Sequence, residues 1–249
     1  MKNKKIYIVI GLIFLVVLTF TGIYAINSNK PVDNNNDNNV TQNTFIGYIE
    51  KITGDTGNVK VIEGNILSSG DSVNVNLQGY TFEVGTKVKV IYDGNVMETY
   101  PLKIKTLDIE KVEYSKISKL YMTLIDDLIG LDQALNSDME YIAINIESFD
   151  ILKEQQQDII HYLYKYHDNI KVASYQDLKE QGLVISTSDV IPHIDGILID
   201  VGKIEKKNDN HYIVNMQKYR SALGAIFPEY EAKYKDGMWS FEIKSMAIS

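Results

Sequence analysis

The stretch TKVKVIYDGNVMETYPLKI, residues 86–104, decides how the first half of this chain folds. TKVKVIY alternates polar and β-branched residues, the period-2 signature of a half-buried strand. Asp93-Gly94 then reads as a hairpin-type turn. Met97, Tyr100 and Pro101 read as a corner covering one end of the folded unit, since Pro101 lacks a donor and pushes Tyr100 toward an extended conformation. The alternative is a binding lip, with Glu98 free to contact a partner.

Four similar runs surround it: TFIGYIEKI (44–52), NVKVI (58–62), SVNVNL (72–77) and KIKTLDIEKV (103–112). Glycine-rich breaks separate them. Five short strands in about 70 residues predict a small closed or nearly closed barrel, OB-like in size, filled by its own side chains. FIGYIEKI (45–52), VGTKVKVIYDG (84–94) and METYPLKI (97–104) also resemble a small OB-like domain of secreted and lipid-anchored proteins of bacilli and clostridia. The resemblance implies fold and location, and no activity comes with it.

Beyond Val112 the periodicity changes from 2 to 3.6. SKISKLYMTLIDDLIGLDQALN (115–136) places Ile117, Leu120, Tyr121, Leu124, Ile125, Leu128, Leu131 and Leu135 on one helical stripe. EYIAINI (140–146) and NIKVAS (169–174) read as strands. SFDILKEQQQDIIHYLYKYH (148–167) reads as a second helix, capped by Ser148 or Asp150. Ser174 and Asp177 have capping-box spacing for a short third one. The C-terminal runs 196–207, 211–219, 222–234 and 238–248 form a meander, so the expectation is an α+β domain with helices packed on an antiparallel sheet. LDQALNSDMEYIAINI (131–146), YRSALGAIF (219–227) and the last residues from Lys235 resemble the C-terminal domain of secreted clostridial proteins, again with no catalytic residue implied.

The N-terminus carries Lys2, Lys4 and Lys5, then no charge from Ile6 to Ile26. A helix of that length spans about 30 Å, the thickness of a hydrocarbon core. The charge asymmetry keeps the N-terminus cytoplasmic and sends the remainder outside. Residues 1–26 therefore read as a signal-anchor, a single-pass transmembrane helix of a cell membrane; a cleaved secretory signal is the alternative. Residues 27–43, NSNKPVDNNNDNNVTQN, are a polar tether with almost nothing to bury. The domains expected are thus 44–112, OB-like, and 113–249, α+β.

There is no cysteine, which removes disulfides, thiolate metal sites and cysteine nucleophiles. Arg220 is the only arginine among many lysines; together with abundant Asn and Ile this suggests an AT-rich, Gram-positive genome. A net charge of −8 disfavours nucleic acid as a partner.

The catalytic templates fail in turn. His161 and His167 are six apart and lie on different helix faces. Asp126 and Asp127 point about 100° apart, which suits a solvated face. Phosphate loops and nucleophile elbows are absent. His193 and Asp195 in PHIDG are two apart and share a side if extended, and Arg220, followed by small residues, can clamp a carboxylate or anchor the chain internally. Tyr162, Tyr164 and Tyr166, at spacing two, cannot all be buried together on a helix and point to an interaction surface. The reading is a non-enzymatic binding or interaction module of the cell envelope, with no catalytic residue, no cofactor and no metal. Glu98, Tyr162, Tyr164, His193, Asp195 and Arg220 are its candidate contacts, with an envelope protein or cell-wall component as partner. Two alternatives stand: an envelope-acting enzyme with an open site around His193, Asp195 and Arg220, and an accessory or sensor subunit of a membrane complex.

Overall fold

The structure, a computed structural model, describes residues 43–64, 66, 71–187 and 190–249. The expected signal-anchor and all of the tether but Asn43 lie outside them. Among the described residues no helix is long and apolar enough to cross a membrane.

The first half is a closed barrel of β1 (Asn43–Thr53), β2 (Thr56–Gly64), β3 (Ser72–Asn76), β4 (Lys87–Met97) and β5 (Leu102–Lys111), in the order β1-β2-β3-β5-β4 with β4 returning to β1. All pairs are antiparallel except β3 with β5, which meet in parallel over Val73↔Leu102 and Asn74↔Lys103. Phe45, Ile49, Val59, Val61, Val73, Val75, Val88, Val90 and Ile109 fill the interior. At Gly47 β1 and β2 approach closely: a Cβ there would stand 2.3 Å from the Lys60 carbonyl oxygen.

The Asp93-Gly94 turn is not where the chain reverses. β4 runs on to Met97, and a register shift between Tyr92 and Val96 places the pair in a bulge. Gly94 has φ +90°, and the Asp93 carboxylate accepts from the Asn95 amide at 3.0 Å. A G1-type bulge and a primed hairpin turn both use positive φ, so Asp-Gly serves either. The reversal falls at residues 98–101, around a cis Tyr100–Pro101 bond. Tyr100 is 89% exposed and Met97 62%, so this corner projects instead of covering the barrel.

In the second half, α1 (Lys116–Gly130) buries Leu120, Tyr121, Leu124, Ile125 and Leu128, with the Ser115 hydroxyl accepting from the Ser118 amide at its start. It ends earlier than its apolar stripe: Asp132 adopts φ +44° and residues Gln133–Asn136 form a 3-10 turn. α2 (Lys153–Tyr162) starts later than expected. Ile146–Phe149 make a separate 3-10 turn, Asp150 is left-handed at φ +48°, and the Gln155 side chain caps the Leu152 amide. Ser148 instead takes Val201 N–H and donates to Asn145 O. α3 (Tyr175–Glu180) carries the predicted Ser174–Asp177 capping box.

The sheet is mixed, not antiparallel throughout. β9 (Val190–Asn208), β10 (His211–Ser221), β11 (Gly224–Lys235) and β12 (Met238–Ile248) form the meander, but β6 (Ile142–Ile144) lies parallel to both β9 and β7 (Ile170–Val172). The order is β12-β11-β10-β9-β6-β7, with β8 (Val184–Thr187) antiparallel to the start of β9. Parallel neighbours need a long crossover, which α2 supplies between β6 and β7. α1 and α2 pack on this sheet through Leu124, Leu128, Ile159, Ile197, Val214 and Tyr230.

Candidate functional site

The barrel and the helices meet around one buried carboxylate. Asp158, on α2 and 2% exposed, accepts from Tyr48 OH at 2.7 Å, Ser118 Oγ at 2.8 Å and Lys87 Nζ at 3.2 Å. These donors come from β1, α1 and β4. Lys87 also reaches Glu154 at 3.0 Å. His161 stacks on Tyr48 with ring centroids 4.0 Å apart and planes within 6°. Gly85, at φ +86°, brings the loop before β4 so near that a Cβ would lie 2.5 Å from His161 O. Burial pushes the Tyr48 hydroxyl far above its usual range, reinforced by its bond to Asp158. Burial, helped by the Lys60 charge, holds His161 down at about 4. Both Asp158 oxygens have partners inside the protein, so the cluster acts as a joint.

A second cluster lies open to solvent. Lys119, Thr123, Asp126 and Gly130 follow one face of α1, spaced three or four residues apart, with the buried Met122 beside them. Gln133 extends the line into the 3-10 turn. Two hollows sit along it. One, of 430 Å³, is walled by Tyr114, Lys119, Met122, Tyr162, Met238 and Trp239. The other, of 380 Å³, is walled by Asp126, Gly130, Gln133, Asn136, Ser137 and Tyr166. Between them Asp126 gathers three donors: Tyr162 OH at 2.8 Å, Tyr166 OH at 2.6 Å and Lys165 Nζ at 2.9 Å. The Lys165 ammonium also lies 3.9 Å from the Tyr162 ring centroid. Burial first, and the Asp126 bond second, raise both phenols above their ordinary range. Both hydroxyls therefore stay protonated and donate. The groove offers aromatic faces, a cation, one largely apolar hollow and one polar hollow to an extended or helical segment.

Asp126 and Asp127 are thus not a merely solvated pair: Asp127 accepts from Tyr230 OH at 2.9 Å, so each takes tyrosine donors on a different side of α1. Tyr162 stands in the groove, while Tyr164 turns the other way, its ring 5.8 Å from His161. Glu98 is exposed at the β4–β5 reversal. His193 Nε2 lies 3.9 Å from Asp195 Oδ1, and its Nδ1 is 3.0 Å from Ile191 O. Arg220 spends its guanidinium on the carbonyls of Leu135, at 2.9 Å, and Ser137. Among the described residues no hydrogen bond links it to His193 or Asp195. Tyr48, Lys87 and Asp158 escaped sequence reasoning, as did Lys218, buried on β10 with its Nζ 3.2 Å from the carbonyls of Ile129 and Asp132. Lys218 did leave a signal, since it follows Val214 and Met216 in the inward register of β10.

No family model and no solved structure matches the chain. Among curated proteins, a stretch of 100 residues, 40% of the chain, is 30% identical to the DNA-directed RNA polymerase subunit beta of Trieres chinensis. The chain spans 7% of that relative's length.

Proposed function

We propose that this chain is a non-enzymatic interaction module of a bacterial cell envelope, held at the membrane by residues 6–26, which seats a partner segment along the exposed face of α1. The groove carries this reading: two hollows flank the Asp126–Tyr162–Tyr166–Lys165 cluster, whose protonated phenols and fixed ammonium make a pre-ordered contact surface. We further read the barrel as OB-type, in keeping with its strand order and the resemblance of its strands to the OB-like domains of bacilli and clostridia. The basic N-terminal residues followed by an uncharged apolar run support the anchored location.

The test places a photo-cross-linking residue at Met238 or Gln133, in the two hollows, and at Lys207, on the exposed sheet, in the full-length protein in cells. The expected result is one adduct common to the two groove positions, absent at Lys207, and lost when Tyr162→Ala and Lys165→Ala are combined. Equal labelling at all three sites, or an adduct indifferent to Tyr162 and Lys165, would sink the reading.

A further inference from the structure

The chain enters the barrel at the pole where the exposed β4–β5 corner stands. Asn43, the first residue of β1, pairs with Tyr92 of β4, and its side chain lies against Gly94. Because β1 and β4 are antiparallel, β4 runs on beyond that point to Met97 and reverses at residues 98–101. Leu102, just after the reversal, pairs with Val73 near the start of β3, which ties the corner to the barrel. The far end of β1 lies at the opposite pole, where Thr53 and Thr56 flank the turn into β2. Met97 and Tyr100 thus stand exposed on the side from which residues 27–42 arrive.

We propose that this corner dips into the interfacial layer of the lipid bilayer, with Tyr100 and Met97 as the inserted side chains. The inference rests on the anchored location proposed above. Residues 27–42 join the apolar run to Asn43, and a segment of that length reaches at most about 55 Å. The pole that receives it is held within that distance of the membrane. A tyrosine ring favours the membrane–water boundary, its apolar body inward and its hydroxyl among the headgroups. The backbone suits that layer as well. Thr99 N–H donates to Met97 O and Thr99 Oγ1 to Pro101 O, both at 2.8 Å, and Pro101 has no N–H to strand. Charge neither drives nor opposes the contact, since Asp93 and Glu98 offset Lys103 and Lys105, and Glu98 stays at headgroup level. Two side chains hold a free protein weakly, but a protein already joined to the bilayer meets it at high effective concentration.

The chain has no cysteine, so a single introduced one carries a nitroxide label without background. Full-length protein labelled at Tyr100→Cys, and separately at Met97→Cys, is reconstituted into vesicles of equal parts phosphatidylcholine and phosphatidylglycerol. Asp55→Cys, in the turn at the opposite pole, is the control. Flotation first checks that the protein stays with the vesicles. Collisions with oxygen, which concentrates in lipid, are then compared with collisions with a water-soluble nickel chelate. The oxygen-to-nickel ratio should be about threefold or more higher at 100 and 97 than at 55, and unchanged by added salt. Adding Tyr100→Ser to the label at 97 should bring its ratio down toward that at 55. In floated protein, equal ratios at all three positions, or a ratio at 97 indifferent to Tyr100→Ser, would overturn the inference and leave the anchor standing. Shielding from both relaxants would mean burial against protein, such as a second copy, and would overturn it too. Protein left behind by the vesicles would sink the anchored reading and this inference with it.

Discussion

His161 shows how one side chain ties a surface property, pH, to the interior joint. Its ring is sandwiched between Tyr48 and Tyr164, where the charged form is poorly solvated, and Lys60 adds repulsion. In the unfolded chain the imidazole titrates near its ordinary 6.5; in the folded protein it titrates at about 4. Since the folded value is the lower one, the unfolded state binds the proton first as pH falls. Stability from this group is complete above pH 6.5, declines as pH falls toward 4, and is flat below that. The span corresponds to about 3 kcal/mol. Urea unfolding at pH 7.5 and 4.5 measures it. His161→Phe keeps an apolar ring against Tyr48 and should remove most of this acid sensitivity; an unchanged pH slope in that variant would show that other groups cause it. Lys218 shifts in the same direction for the same reason: burial lowers it to about 8, with the Asp132 charge opposing, so it still carries its proton at neutral pH.

At the scale of elements, glycines at two loops separate backbone strain from packing. Gly54 and Gly85 both have positive φ, but a Cβ at Gly54 meets nothing within 4 Å, whereas at Gly85 it meets the carbonyl at the end of α2. Gly54→Ala should cost about 1–2 kcal/mol from φ alone. Gly85→Ala adds a clash between two backbones and should cost clearly more, read as the difference in urea midpoints. Equal costs would mean the loop before β4 shifts freely against α2. What the sequence made legible at this scale follows from periodicity: the existence of the five barrel strands, the α1 stripe as far as Leu128, the α3 capping box and the limits of β12 all match. Each depends on residues near one another in the chain. The misreadings lie where a local pattern has two solutions. Asp93-Gly94 could make a turn or a bulge, and the short apolar run Ile142–Ile144 carries no mark of its parallel neighbours. The groove was half legible. Tyr162 was marked by the impossible burial of three tyrosines at spacing two, but Asp126 and Lys165 become its partners only when α1 and the end of α2 meet.

At the largest scale the question is whether the barrel and the α+β half unfold as one. The change from strand to helix pattern near Val112 divides the sequence into a barrel and an α+β half, yet residues 42–249 form one compact unit. The joint explains why. Tyr48 and Lys87 from the barrel share Asp158 with Ser118 from α1, and none of the four is more than 5% exposed. Separating the halves would put a carboxylate and an ammonium into new solvent while leaving a tyrosine and a serine without their acceptor. A buried pair is costly to break from one side, by about 3–5 kcal/mol. The two halves should therefore unfold together. Trp239, the single tryptophan, reports on the sheet, and amide protection of β1 reports on the barrel. In urea, tryptophan fluorescence and β1 exchange should share one midpoint in the wild type. Lys87→Met strands Asp158 with one charge partner fewer, so it should lower both midpoints together, the sheet's included, although Lys87 belongs to the barrel. A barrel that loosens while Trp239 keeps its wild-type midpoint would mean that the joint is a contact between two independent domains, and that the boundary near Val112 is thermodynamic after all.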